Sequence, residues 1–325
     1  MAVETSLVWP DVVFLPTALF SIPGPFAPVV TTILDTMPHR LPPGMIARRS
    51  GLRARVLTRI NAKLASRIIT ISSWSKNDIV ETCGVPAEKI SVTYLGYDKS
   101  LYNDLPPNPQ GSSALLERFG IRKPFVLHHG MVQLRKNLLR LIQAWNQLAE
   151  SKATAGAQLV LAGPPGYGYE EILRAAGASP SIALTGALSQ PDLAALVKNA
   201  FLCVIPSLYE GFCLPMVEAM ACGVPTIASN ASCIPEVSGG VLEYFDPLSV
   251  EEMAEAIRRA LGDTDLQARL RRDGLARAEE FSWERCARET LSVFSEVAFE
   301  HRGNHRAARP PKATANPEAT PNQSA

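Results

Sequence analysis

Two carboxylates eight residues apart dominate the chemistry this sequence can offer. They stand in Tyr209-Glu210-Gly211-Phe212-Cys213-Leu214-Pro215-Met216-Val217-Glu218-Ala219-Met220, after an apolar run ending at Pro206-Ser207. A carboxylate accepts hydrogen bonds from hydroxyls, and each such bond to a charged group contributes about 1.5–3 kcal/mol. Gly211 separates a strand from a helix, and Pro215 suits a first helical turn, where its missing N–H would be unpaired anyway. The backbone N–H groups of residues 211–214 then gather at a helix N-terminus, a site fit for a phosphate or a sugar hydroxyl. Glu210 precedes this helix and Glu218 lies on its first or second turn, so both can face one cleft. One carboxylate for a hexose and one for a ribose would fit a nucleotide-sugar donor.

A second constellation is Gly130-Met131-Val132-Gln133-Leu134-Arg135-Lys136-Asn137, which follows a strand and opens a helix. Two cations placed there neutralise the charge that develops on a departing diphosphate. A bare dibasic pair reads first as a solvated helix start; with the paired carboxylates downstream, Arg135 and Lys136 become the candidates for leaving-group stabilisation.

Other patterns carry less. Asp263-Thr264-Asp265 has metal-motif spacing but separates two helices, where capping explains it better. Gly163-Pro164-Pro165-Gly166-Tyr167-Gly168 follows a strand but is neither a dinucleotide fingerprint nor a Walker loop, and reads as a wide turn. His128-His129 ends a strand near the presumed diphosphate; contact by His129 and strand-end packing are both open. Cys203, Cys213, Cys222 and Cys233 have gaps unlike zinc spacing, and the six cysteines read as reduced thiols of a cytosolic protein.

Alternating strand and helix patterns must position these groups. Apolar runs at 11–15, 28–33, 67–72 and 90–94 precede a Pro-, Gly- and Ser-rich stretch at 105–113. Further runs follow at 124–129, 157–162, 181–184, 201–205, 225–228 and 241–244. Helical patterns lie between them at 46–66, 75–83, 137–150, 169–176, 190–199, 214–222 and 249–261, with closing helices at 264–279 and 283–299. This alternation predicts an α/β protein with parallel sheets covered on both faces, in two Rossmann-like lobes with a cleft between them. The expected division is 1–118 for a partial first lobe, 119–282 for the second, 283–300 for a closing helix and 301–325 for a disordered tail.

The Glu210–Pro225 segment resembles the E-x7-E signature of retaining GT-B glycosyltransferases, especially glycosyltransferase family 4, departing at Cys213 where glycine is usual. The resemblance implies that Glu210 contacts the donor sugar, Glu218 the ribose, and that Gly211, Phe212, Cys213 and Leu214 present amides to the donor. Gly130 to Asn137 is similar to the family's G-x-x-x-x-R-K-N element, although Met131 stands where many relatives carry arginine. Thr185-Gly186 sits where the family's base-contacting loop begins. Ile71–Lys76, Tyr94–Asp98, Ser229–Val237 and Phe281–Glu284 also resemble family segments. The implied activity is metal-independent hexosyl transfer, mannose favoured, from a nucleotide diphosphate sugar to a glycan or lipid-linked saccharide, with no cofactor.

The first half departs from that pattern. No strand and glycine-rich loop precedes Pro10, and Leu34 replaces a histidine usual in T-I-H-D, leaving Asp35 as the match. A Rossmann lobe of ordinary size needs roughly 120–150 residues. The first lobe therefore reads as incomplete. The alternative function is a donor-binding subunit, or half of a split enzyme whose partner chain supplies strands.

At 325 residues, 46% hydrophobic and 19% charged, the chain can bury two cores and is not a disordered protein. A net charge of +1 gives no reason to expect nucleic-acid binding. That neutrality hides an excess of eight basic residues and no acid between Arg40 and Arg67. Leu52, Val56, Ile60 and Leu64 recur every fourth residue there, predicting a basic amphipathic helix packed through that stripe. Two readings of the charge stand: a solvated face, or attraction of residues 40–67 to an anionic membrane or acceptor. Four prolines in the uncharged Val12–Leu34 stretch oppose a membrane-spanning helix. With the reduced cysteines, the expected location is the cytoplasm or the inner membrane surface.

Overall fold

The computed structural model describes residues 10–17, 27–42, 44–154 and 156–307. The first sheet is parallel, in the order β1 (Val13–Leu15), β2 (Val29–Thr32), β3 (Arg67–Thr70), β4 (Ile90–Val92). The second begins with β5 (Phe125–His129), β6 (Gln158–Ala162) and β7 (Ile182–Gly186). It continues with β8 (Leu202–Ile205), β9 (Thr226–Ser229) and β10 (Glu243–Phe245), all parallel in the spatial order β10-β9-β8-β5-β6-β7. The expected strand runs coincide with these strands to within two residues at each end.

The first sheet is flanked by α1 (Met37–Arg40), α2 (Arg48–Leu64) and α3 (Ser73–Cys83). The connection carries α4 (Pro109–Arg118). The second sheet is covered by α5 (Leu138–Glu150), α6 (Tyr169–Gly177), α7 (Gln190–Asn199), α8 (Leu214–Ala221), α9 (Ile234–Ser238), α10 (Val250–Gly262) and α11 (Thr264–Ala278). α12 (Trp283–Ala307) closes the chain order. It returns to the first lobe, where Val293 and Val297 pack on Val30 and Ile69. Ala62, Ala65, Ile79 and Cys83 cover the opposite face through Ile33, Ile68 and Ile90. A parallel sheet buried on both faces explains the β-branched runs.

Three expectations are corrected. Leu52, Val56, Ile60 and Leu64 do not pack inward: they are 65%, 49%, 41% and 63% exposed. The buried side of α2 is instead Gly51, Asn61 and Ala62, small groups that let the helix lie close to the sheet. The Pro-, Gly- and Ser-rich stretch at 105–113 leads into a helix that the patterns did not include, because Asn108 caps α4 by accepting from the Gln110 amide, and Pro109 occupies its first turn. The tail expected to be disordered from residue 301 begins as helix, since α12 runs to Ala307 and Arg302 pairs with Asp11 at 2.7 Å. Residues 308–325 lie outside the described residues. Tyr97, Tyr102 and Leu115 join the large hydrophobic cluster that also holds Ile71, Phe125 and Leu127. Among the described residues no helix is long and apolar enough to cross a membrane.

Two segments connect the lobes, and they touch. A Cβ on Gly96 would lie 2.0 Å from the Trp283 nitrogen, so only glycine allows the crossing at residues 93–97 to press against the crossing at 281–283. Ser282 accepts from the Arg285 amide at 3.1 Å and starts α12 at that point.

Candidate functional site

The second sheet fixes where a ligand can sit. The chain builds β5, β6 and β7 outward in one direction, then returns to place β8 on the other side of β5. The crevice beyond the carboxyl ends of β5 and β8 is thus the topological switch point, where open α/β sheets hold ligands. Both sequence constellations lie there, one in the loop after β5 and one after β8.

Glu210 is the centre of the cluster. Lys136 Nζ donates to its Oε1 at 2.6 Å, and Arg135 Nη1 donates to its Oε2 at 3.0 Å and to the Tyr209 carbonyl at 3.0 Å. The Glu210 amide donates to Ser232 Oγ at 2.9 Å. Burial alone pushes the Glu210 carboxyl up, but Lys136 and Arg135 outweigh it and hold the group at about 2. A buried carboxylate persists as an anion only with such partners. Asn137 adopts a left-handed conformation with φ 61°, turning the chain from the Arg135-Lys136 loop into α5, and its side-chain amide donates to Pro247 O at 2.7 Å. Gly130 lies between the two loops: a Cβ there would be 3.4 Å from Pro215 and 3.9 Å from Lys136 Nζ.

Gly211, Phe212 and Cys213 lead into α8, and among the described residues their amides make no backbone hydrogen bond within the protein. Leu214 begins the helix, whose first turn contains no acidic residue. Partial positive charge at this end is therefore open to an anion. Cys213 occupies a left-handed conformation at φ 68° that glycine adopts without strain, and its buried thiol is pushed up to about 12. Phe212 is buried and stacks edge-on with Phe281 at 5.3 Å, while Tyr94 lies 5.9 Å from Phe281. The aromatic trio ties this loop to both inter-lobe crossings.

Glu218, on the second turn of α8, meets His129 Nε2 at 3.2 Å. His129 thus contacts the second carboxylate, which goes beyond strand-end packing. His128 points elsewhere, with Nδ1 3.1 Å from the Val204 carbonyl; burial lowers its pKa to about 3, so the ring is neutral. Thr185 is not brought into the cluster. It lies on edge strand β7, two strands or roughly 10 Å across the sheet from β5, and its hydroxyl donates to Gly186 O at 2.9 Å. Asp263 caps α11 by accepting from the Asp265 and Leu266 amides, as its position between helices suggested. Among the described residues no group of three acidic, histidine or cysteine side chains could hold a metal.

The first lobe closes the other wall. A Cβ on Gly211 would meet Asp35 Cβ and the Leu34 carbonyl, each at 3.1 Å, so the first lobe lies close against the loop that leads into α8. Asp35 accepts from the Met37 amide at 2.9 Å, and burial in the seam raises its pKa.

Sequence reading missed the polar clasp around α3. Tyr209 donates to Asp78 at 2.6 Å, and Thr36 donates to the same carboxylate at 2.9 Å. Glu236 accepts from the Ser73 and Trp74 amides, both at 2.7 Å, and from the Tyr94 hydroxyl at 2.8 Å. A carboxylate from the second lobe thereby caps a helix of the first. The segments Ile71–Lys76, Tyr94–Asp98 and Ser229–Val237 had marked Ser73, Trp74, Tyr94 and Glu236 singly, without marking that they pair.

Two parallel-sheet lobes around a switch-point cleft define the GT-B fold, and solved structures share it. An Anabaena protein, HepE, solved with UDP and glucose, superposes with a TM-score of 0.68 at 23% identity, over 83% of this chain and 72% of that one. A glycosyltransferase from Rickettsia africae superposes at 0.70 with 15% identity, over 88% and 76%. Family models described as glycosyl transferases group 1 and glycosyltransferase family 4 match residues 117–277 and 6–101 respectively. The chain belongs to this glycosyltransferase family. O-antigen chain mannosyltransferase B of Escherichia coli is 31% identical over 71% of this chain and 60% of its own length. The MMP alpha-(1->4)-mannosyltransferase of Mycolicibacterium hassiacum is 32% identical over 73% and 55%. The chain thus spans just over half the length of these relatives.

Proposed function

We propose that the protein transfers a hexose, with mannose favoured, from a nucleotide diphosphate sugar to a glycan or lipid-linked saccharide. The observation that carries this reading is the buried Glu210 held between Arg135 and Lys136, beside the open amides of Gly211, Phe212 and Cys213. Arg135 and Lys136 offer charged N–H donors beside the open amides at the switch point, an arrangement suited to a diphosphate. Arg135 and Lys136 stabilise the leaving group, Glu210 accepts sugar hydroxyls, and Glu218 accepts ribose hydroxyls. Gly130 gives the diphosphate room beside Lys136, Leu214 adds an amide, and Thr185 stands towards the base. The names of the two mannosyltransferase relatives support the preference for mannose.

The proposed reaction retains configuration. The acceptor hydroxyl enters between the lobes and bonds to the anomeric carbon on the face from which the diphosphate oxygen departs. Its proton passes to a donor phosphate oxygen. No metal or cofactor takes part in this scheme, and the charge that a metal would supply comes from Arg135 and Lys136. Purified protein incubated with UDP- and GDP-sugars should release nucleoside diphosphate fastest from a mannose donor. Proton NMR of the product should show the anomeric configuration of the donor. Absence of both donor binding and turnover across the panel would overturn the proposal.

The outward stripe of α2 supports a peripheral location. Leu52, Val56, Ile60 and Leu64 are exposed beside the exposed cations Arg53, Arg59 and Lys63. Such a face suits an anionic lipid surface, where each cation adds about 1 kcal/mol. Vesicles containing phosphatidylglycerol should retain the protein at low salt and release Leu52→Asp; equal behaviour of the two proteins would reject the assignment.

A further inference from the structure

His129 ends β5, almost fully buried, and is unused by the chemistry proposed above. Its ring is held from both sides. Nε2 lies 3.2 Å from Glu218 Oε2, and Nδ1 lies 3.9 Å from Cys203 Sγ on the neighbouring strand β8. A carboxylate only accepts hydrogen bonds, so Nε2 carries the hydrogen in this pair. A ring carrying its one hydrogen on Nε2 accepts at Nδ1, where it calls for a donor. Cys203 can supply it, because complete burial pushes its thiol far up and keeps the S–H intact. In that tautomer the order of donation is Cys203 to His129, then His129 to Glu218.

We infer that His129 is a positioning residue for Glu218: by occupying Oε2 it leaves Oε1 directed at the ribose, and so sets how strongly the site prefers a ribose bearing its hydroxyls. This rests on the reading of Glu218 as the ribose carboxylate. Glu218 sits on α8 while His129 sits on the sheet beneath, so the bond ties the carboxylate to the most rigid part of the lobe. Pre-orientation of this kind acts on the hydroxyl contact alone and leaves the phosphate contacts untouched.

The test is calorimetric binding of UDP and GDP, each beside its 2′,3′-dideoxy counterpart, to the full chain. The wild type should bind the natural form of at least one nucleotide about tenfold or more tighter than the dideoxy form, as expected for a bond to a charged acceptor. Glu218→Ala should bring that ratio close to one. His129→Phe, which fills the space without a donor, should lower the ratio about as far while leaving dideoxy affinity unchanged. His129→Gln, whose amide can still donate from the Nε2 position, should restore most of it. Cys203→Ala should lower the ratio less, and Cys203→Ser should recover it.

The outcomes separate the two readings. If the wild type binds neither nucleotide, or Glu218→Ala keeps the ratio, the ribose assignment fails and this inference with it. If Glu218→Ala collapses the ratio but His129→Phe does not, or weakens both forms equally, His129 is a packing residue and the inference alone fails. Should His129→Phe not fold, the Gln, Ala and Ser variants decide in the same way: an unchanged ratio in Cys203→Ala overturns the inference.

Discussion

The two lobes meet the same cleft by different means. The second offers it contiguous segments: residues 130–137 and 209–218 supply two carboxylates, two cations and open amides from one six-stranded sheet. The first offers scattered groups from a four-stranded sheet, among them Asp35, Asp78 and the Ser73 and Trp74 amides, each of which meets a residue of the other lobe across the seam. The difference separates built-in chemistry from chemistry completed by closure. The second lobe is a site by itself; the first becomes one only across the seam.

The sharpest way to break that contrast is within the second lobe. Glu210→Gln leaves Lys136 and Arg135 buried against a neutral amide, and should cost about 3–5 kcal/mol of stability in denaturant titration. Turnover should fall by about 10²–10³-fold in a donor-consumption assay. The pH dependence has a definite sign. Because the folded carboxyl is held at about 2 against an ordinary 4.5, its contribution is complete above 4.5 and is lost as pH falls through that window towards 2. Thermal unfolding of the variant should lack this part of the acid destabilisation.

Next in size is the join between the lobes. Gly96→Ala drives a methyl into the Ser282–Trp283 backbone and should cost about 1–3 kcal/mol, read as a lower melting temperature. An unchanged melting temperature would mean that the crossings part freely. Smaller again is Tyr209→Phe, which removes one hydrogen bond to the buried Asp78 at a cost of about 1–2 kcal/mol. Amide exchange should quicken in α3 and leave β5 and β6 unaffected; uniform acceleration would show that the lobes unfold as one. The smallest effect has the opposite sign. Cys213→Gly relieves a left-handed non-glycine residue and should raise stability by about 1 kcal/mol, measured as a higher denaturant midpoint.

Legibility in the sequence followed the same division. The paired carboxylates and the dibasic loop could be read because each occupies a short segment between a strand and a helix. The Tyr209–Asp78 bond joins residues 131 apart and the Glu236–Ser73 bond residues 163 apart, and no local pattern encodes such a pairing. Strand runs were legible because sheets covered on both faces demand continuous apolar residues. The α2 stripe misled for a physical reason: periodicity reports an amphipathic face but not its direction, and here small residues occupy the packed side. α4 was hidden because its start is rich in Pro, Gly and Ser, which served as cap and first turn. His129 was noticed, yet its partner Glu218 lies 89 residues away.

The return of α12 to β2 and β3 bears on how the protein is made. One cover of the first sheet, Val293 and Val297 against Val30 and Ile69, is encoded near the far end of the chain. Domains emerging from the ribosome ordinarily fold in the order of their synthesis. Here the first sheet must wait with one apolar face uncovered while the entire second lobe is translated. The later lobe can finish first, and the earlier one is completed only when its last helix arrives.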